Sequence, residues 1–394
     1  MISFDDALAI LASAVRPFGT QTVKLEQASG RVLAADLIAA IDSPRADVSA
    51  MDGYAVREAD LVSLPARLRV SGESFPRQLP LAIESGECAR IFTGAPVPAG
   101  ADRVVIQEIV LREDEWALFD QEAGPARYIR KQGSDFRSGE RLLGAGTLFD
   151  ARTIVAAGAA DVASVEVFRR ASFAIIATGD ELAEPGSARD NPAAIPDSVS
   201  LGVAALAEQW GGECVVRLRI DDDREELEVA ARKALDAADL VIVTGGASVG
   251  EKDFAKAMFE AAGLELLFSK VSIKPGKPVW LGRASGKLVL GLPGNPTSAL
   301  VTARLFLAPL LCGMTGRDPA SALRWRNAPL AEALPACGDR ETFVRARWAG
   351  NAVEPLIDQD SGAQRALAEA ELLLRRLPNS HSAKPKDDVE LIAF

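Results

Sequence analysis

Histidine is nearly missing from this chain: His381 is the only one among 394 residues. Four cysteines (Cys88, Cys214, Cys312 and Cys337) lie far apart and form no CxxC pair. A zinc site of the Cys/His type is therefore excluded, and no disulfide framework is implied. Basic residues are also in deficit, with 44 Lys and Arg against 55 Asp and Glu, a net charge of −11 and a pI near 4.9. That balance argues against nucleic acid or an anionic membrane as the main partner. An anionic ligand has to be held by locally placed cations or by a bridging metal. The longest uncharged run, residues 288–303, has 16 residues and is broken by proline and glycine, short of the roughly 20 that span a bilayer. Asp5 and Asp6 stand where a signal peptide would be basic. The expectation is a cytoplasmic protein without a membrane segment.

What is present reads as globular, with 48% hydrophobic and 25% charged residues. The length calls for two to four domains. Ser3 opens a helix whose apolar stripe is Phe4, Leu8, Leu11 and Val15, ended by Pro17. From about 23 to 150 the helical period gives way to short β-rich runs (68–70, 90–92, 103–109, 128–130) between Gly and Pro turns. Within them, Val104, Ile106 and Ile109 are expected to face a core. After a helix over 153–163, apolar runs at 173–177 and 240–243 mark strands buried on both faces. Further strands are expected at 214–220, 264–268, 279–281 and 288–292, and helices at 199–210, 224–238, 254–262 and 296–312. Alternation of this kind predicts a doubly wound, mostly parallel α/β sheet. Beyond Pro319, strands at 343–348 and 390–393 and a helix over 364–374 predict a small β domain, with a polar, loose stretch at 379–388.

Ligands of open α/β sheets bind beyond the carboxyl ends of the strands, and there this sequence places its unusual turns. Thr178-Gly179-Asp180-Glu181 follows one strand, Asp221-Asp222-Asp223 another, and Thr244-Gly245-Gly246-Ala247-Ser248-Val249-Gly250 a third, with Glu251 and Asp253 beyond. The last strand opens into Pro293-Gly294-Asn295-Pro296, preceded by Lys274-Pro275-Gly276-Lys277-Pro278. Lysines braced by prolines lose few conformers on closing around an anion. Gly294 and Asn295 tolerate positive φ, so PGNP is expected to form an anion-binding nest ahead of a helix N-terminus at Pro296. Asp221–Asp223 reads first as a helix cap. Carboxylates beside an anion site need a hard cation, and oxygen-only ligands point to Mg²⁺. Met51-Asp52-Gly53-Tyr54-Ala55, Ile91-Phe92-Thr93-Gly94-Ala95 and Gly133-Ser134-Asp135 have turn chemistry without an obvious packing reason.

In order along the chain, SAMDGYAVR (49–57), RIFTGAPVPAGADRVVIQE (90–108), IRKQGSDFRSGE (129–140), ATGDEL (177–182), TGGASVGEKD (244–253), KPGKP (274–278) and GLPGNPTSAL (291–300) resemble the molybdopterin molybdenumtransferase family. RETFVRARW (340–348) and QDSG (359–362) extend the likeness to the C-terminus. The resemblance implies a split, elongated N-terminal domain (1–43 and 130–168), an inserted β-rich domain (44–129), a molybdopterin-binding α/β domain (169–318) and a C-terminal β barrel (319–394). It implies insertion of molybdenum from molybdate into adenylylated molybdopterin with Mg²⁺, releasing AMP and the molybdenum cofactor. A homodimer with its active site at the subunit interface is implied too, with a molybdopterin adenylyltransferase as donor and apo-molybdoenzymes as acceptors. By residue, Lys274, Lys277, Ser298, Arg340 and Ser361 match the oxyanion-handling positions. Asp52, Thr93, Asp135, Glu181, Asp221 and Asp253 match positions for pyrophosphate activation, with Glu181, Asp221 and Asp253 toward the metal. Gly245, Gly246, Ser248 and Gly250 would line the pterin–phosphate cradle, with Pro293, Gly294, Asn295 and Pro296 beside it.

Two positions depart from the family's pattern: Val48 and Val199 stand where asparagine is expected. Both remove amide hydrogen-bonding groups. They motivate an alternative, a catalytically reduced paralogue that carries cofactor or serves as a scaffold. Adenylylation of molybdopterin is a third reading, against which the DGYA insert and the C-terminal domain argue.

Overall fold

The structure, a computed structural model, describes residues 1–77, 79, 81–246 and 254–394. The chain forms two compact units, one of residues 1–21, 30–34 and 167–394, the other of 22–29 and 35–166.

The first unit is built on a six-stranded sheet in the order Gly212–Ile220, Ala171–Thr178, Leu240–Thr244, Lys287–Leu292, Trp280–Ala284, Glu265–Ser269. The first three junctions are parallel and the last two antiparallel, so the mostly parallel sheet is observed with a hairpin closing one side. The apolar runs do what two-sided burial requires: every residue of Leu240–Thr244 is buried. Asp223 caps the helix Arg224–Ala237, its carboxylate accepting the Glu226 N–H at 3.0 Å. The helix Phe4–Ala14, capped by Ser3, buries Phe4, Ala7 and Leu11 in the same unit.

The expected helix at 296–312 is a composite: α-helix Pro296–Thr302, a π-helical turn Ala303–Leu307, then α-helix Ala308–Met314. It is long and apolar enough to cross a membrane by length and composition, but nearly all of it is buried in the protein. Val301, Leu305, Phe306 and Leu310 join the core on one face of the sheet. Two other helices come out shorter than expected. Phe254–Ala257 is α-helical and is followed by a 3₁₀ turn, Glu260–Ala262. Gln364–Ala368 ends early, and Leu372–Arg376 is a strand with Leu372, Leu373 and Leu374 buried. Leucine favours helices intrinsically, but there tertiary burial in a sheet overrides propensity.

That strand belongs to the C-terminal sheet, ordered Ile273–Lys274, Glu341–Ala349, Leu372–Arg376, Asp388–Ala393, Arg326–Pro329, with Ala352–Pro355 paired to Glu341–Ala349. Lys274 is thus in register with Thr342, so the first lysine of KPGKP is held by the C-terminal sheet. The polar stretch 379–388 is anchored rather than loose, through a Leu334–Ala383 bridge and the Asp387 carboxylate, which accepts the Lys384 N–H at 2.7 Å.

The second unit holds another six-stranded sheet, ordered Arg103–Ile106, Gly53–Val56, Glu87–Ile91, Ala66–Ser74, Trp116–Phe119, Leu111–Glu113. DGYA has a packing reason after all. Gly53–Val56 is fully buried between two neighbours, and a Cβ on Gly53 would stand 2.0 Å from the Val105 carbonyl oxygen. Of the apolar residues expected inward, Val104 is buried, while Ile106 and Ile109 are half-buried and Arg103 and Val105 take buried places beside them.

Candidate active site

Two large cavities of the first unit adjoin one another. The larger, about 890 Å³, is lined by the whole KPGKP segment together with Ser298, Arg340, Ser361 and Arg376. The second, about 840 Å³, is lined by Thr178, Gly179, Glu181, Asp197, Asp222, Gly245, Gly246 and the four residues of PGNP. Pro278 borders both. The loop around Ser361 divides them: Gln359, Asp360 and Ser361 face the first cavity, Gly362 and Gln364 the second.

The chemistry of the first cavity follows from its charges. Lys274, Lys277, Arg340 and Arg376 have no carboxylate at ion-pair distance among the described residues. In a protein of net charge −11, four lining cations that form no such ion pair, against two lining carboxylates (Glu332 and Asp360), make a local positive field. Ser298 and Ser361 add hydroxyl donors. KPGKP is fixed by Gly276 at φ +101°, where an added Cβ would lie 2.2 Å from the Thr302 Cγ2 atom. No other residue fits that turn against the helix.

In the second cavity the nest is not where the sequence suggested. Neither Gly294 nor Asn295 has positive φ; Asn295 is at φ −65° as the residue preceding the helix. Consecutive positive φ occurs instead at Gly245 (+92°) and Gly246 (+62°). Glycine is required there, since a Cβ on Gly245 would be 2.4 Å from the Thr178 carbonyl oxygen. PGNP contributes the helix start at Pro296, and the Asn295 side chain leaves the cap to donate to Ser361 Oγ at 3.0 Å.

Glu181 is exposed on the wall of the second cavity, whereas Asp221 is exposed and outside its lining; its neighbour Asp222 takes that place. Ser248, Gly250 and Asp253 lie outside the described residues. Val199 lines the cavity at the start of the helix Val199–Gln209. Val48 pairs with Arg130 in a short antiparallel ladder. Asp197, Asp222 and Arg376 line the cavities without having been singled out. Asp197 is legible in PDSV and Asp222 in the aspartate run, but Arg376 gives no signal, because the helix expected over 364–374 stops short of it and hides the strand Leu372–Arg376.

In the second unit, Asp52 and Thr93 are brought together. One Asp52 carboxylate oxygen accepts the Thr93 N–H at 2.7 Å and the Thr93 hydroxyl at 2.8 Å. These bonds, the backbone one foremost, hold the carboxyl below the usual aspartate range. Asp135 is exposed, its N–H donating to the Ser43 carbonyl at 3.0 Å.

Fold and site together define a multidomain α/β protein with a cation-lined cavity adjoining a glycine-lined, carboxylate-bearing one. Known proteins are similar to this chain along most of its length. Residues 2–160 match the MoeA N-terminal region (domain I and II), 174–312 a probable molybdopterin binding domain, and 327–394 the MoeA C-terminal region (domain IV). The molybdopterin molybdenumtransferase of Haemophilus influenzae is 36% identical over 85% of this chain and 81% of its own length. That of Synechococcus elongatus is 32% identical over 94% of each. A crystal structure of the molybdopterin biosynthesis MoeA protein from Pyrococcus horikoshii, 30% identical, superposes with a TM-score of 0.82 over 99% of this chain and 98% of that one. This chain belongs to the molybdopterin molybdenumtransferase (MoeA) family.

Proposed function

We propose that this chain transfers molybdenum from molybdate to adenylylated molybdopterin, releasing AMP and the molybdenum cofactor. The observation that carries this reading is the adjacency of the two cavities across Pro278 and Ser361. Molybdate is a tetrahedral dianion, and Lys274, Lys277, Arg340, Ser298 and Ser361 supply charge and directed donors for it. The cofactor's pyrophosphate would lie against Gly245, Gly246 and the PGNP helix start, where backbone N–H groups favour anions. Those two glycines, with Ser248 and Gly250, form the cradle on this reading.

Mg²⁺ is the cation the pyrophosphate calls for. Among the described residues, which leave out Asp253, no group of three or more His, Cys, Asp or Glu is placed to hold a metal. Glu181 and Asp222 on one cavity wall fit an ion that takes its other ligands from phosphate and water, the usual habit of Mg²⁺. Bound, it would neutralise charge on the pyrophosphate. Asp253, and Asp221 beside Asp222, complete the proposed carboxylate set.

The four-part division at 43/44, 129/130, 168/169 and 318/319 belongs to the same reading. So does a cytoplasmic homodimer in which Asp52, Thr93 and Asp135 of one subunit serve the α/β domain of the other. Donor and acceptor partners are a molybdopterin adenylyltransferase and apo-molybdoenzymes. Val199 on the second cavity's wall favours a second reading, a cofactor carrier with little turnover. Incubation with adenylylated molybdopterin, Mg²⁺ and low molybdate, followed by addition of an apo-molybdoenzyme, separates the two. A transferase activates the acceptor catalytically, many times per chain; a carrier shows tight calorimetric binding of the pterin nucleotide and no turnover.

A further inference from the structure

Arg345 sits in the strand Glu341–Ala349 and is 1% exposed. Its side chain meets no carboxylate at ion-pair distance among the described residues. It donates instead to backbone: Nη2 to the carbonyls of Asp358 (3.0 Å) and Asp360 (2.9 Å), and Nη1 to that of Ala363 (3.3 Å). Nη1 also donates to the Thr297 hydroxyl at 3.1 Å. The strand backbone joins in, with the Arg345 N–H donating to Gln359 Oε1 at 3.0 Å and its carbonyl accepting from Gln359 Nε2 at 2.9 Å. Burying a guanidinium without a counter-charge is costly unless its hydrogen bonds are met. Here they are met almost wholly by one loop.

That loop is the divider between the cavities. Ser361 has its carbonyl accepting the Thr297 N–H at 3.1 Å and its hydroxyl accepting from Asn295. Gly362, the next residue, borders the second cavity. Arg345 lines neither cavity, so it acts only through what it holds. We propose that Arg345 is a positioning residue that fixes the loop 358–363, setting the Ser361 hydroxyl toward the oxyanion and Gly362 toward the pyrophosphate side together. The inference rests on the function proposed above. Lysine cannot replace it, because a single ammonium cannot reach the divergent acceptors that the planar fork spans.

The test is calorimetric titration of molybdate into the full-length wild type, Arg345→Lys, Thr297→Val, Ser361→Ala and the Arg345→Lys/Ser361→Ala double variant. Arg345→Lys should weaken molybdate binding roughly tenfold and raise the KM for molybdate, with kcat at saturating molybdate held within about threefold. In the Ser361→Ala background the same change should cost less than about twofold, since the two act as one unit. Thr297→Val keeps the side-chain volume and loses one Arg345 partner; it should weaken binding about threefold, and it carries the test should Arg345→Lys not fold. A folded Arg345→Lys with wild-type affinity, an undiminished loss in the Ser361→Ala background, or an unaltered Thr297→Val where Arg345→Lys does not fold overturns the proposal. A wild type that binds no molybdate overturns the function on which it rests, a failure seen before any variant is measured.

Discussion

The Asn295 amide donates to the Ser361 hydroxyl at 3.0 Å, joining the PGNP turn to the loop that borders the lysine-lined cavity. Sixty-six residues apart in sequence, they meet because the strand Lys287–Leu292 delivers PGNP to the sheet's carboxyl edge and the C-terminal sheet brings 359–362 to the same place. The lysine-lined cavity therefore draws on both sheets, and the lysines alone do not complete it.

Lys277 should dominate binding affinity without supporting the fold. It is exposed and has no ion-pair partner among the described residues. Lys277→Gln should leave the melting temperature unchanged and raise the Kd for molybdate by roughly tenfold or more, the worth of one charge-assisted hydrogen bond. Calorimetry and a thermal melt on the same sample check both halves.

Gly276 tests whether KPGKP has to keep its shape. At φ +101° with a prospective Cβ 2.2 Å from Thr302, Gly276→Ala should cost about 1–3 kcal/mol of stability. It should also weaken molybdate binding, although no donor is removed. Urea denaturation measures the first effect and titration with molybdate the second.

Much of this was legible beforehand, and the reasons differ by element. The strands at 173–177 and 240–243 were readable because burial on both faces demands continuous apolar runs, and the observed Ala171–Thr178 and Leu240–Thr244 comply. Leu372–Arg376 is not legible as a strand, because three consecutive leucines fit a buried helix as well as a buried strand. The nest was assigned to PGNP because glycine and asparagine permit positive φ. Permission is not need: the positions that take positive φ are Gly245 and Gly246, and at Gly245 the close approach of Thr178 leaves no room for a side chain. Arg345 was invisible because its role depends on backbone carbonyls far along the chain, which carry no side-chain signature.

Asp239 should make stability pH-dependent. Its buried carboxylate pairs with Arg169 at 2.9 and 3.1 Å and accepts from the N–H (3.0 Å) and hydroxyl (2.7 Å) of Ser172. Burial pushes its carboxyl up, but the Arg169 and Ser172 bonds outweigh it and hold it below the ordinary aspartate range. A depressed carboxyl stabilises the fold above its unfolded-state pKa, and the contribution is lost as pH falls through the folded-state value. Asp239→Ala should therefore cost about 1–2 kcal/mol at neutral pH, since Arg169 is left half exposed to water, with the gap to wild type narrowing below about pH 4. Urea titrations at several pH values measure that gap.

If the proposed homodimer shares its site between subunits, complementation follows. Asp52→Ala and Glu181→Ala, each inactive alone on this reading, should regain about a quarter of wild-type activity when co-expressed and randomly paired, since half the dimers would carry one intact site. Two chains that never restore activity would place both residues in the same site of one subunit, or show that no dimer forms.

The most direct measurement is AMP released from adenylylated molybdopterin, with Mg²⁺ present, as molybdate is titrated. The proposed function predicts release that rises and saturates with molybdate in the wild type and is abolished in Glu181→Ala. Release that ignores molybdate, or equal release by wild type and Glu181→Ala, would contradict it.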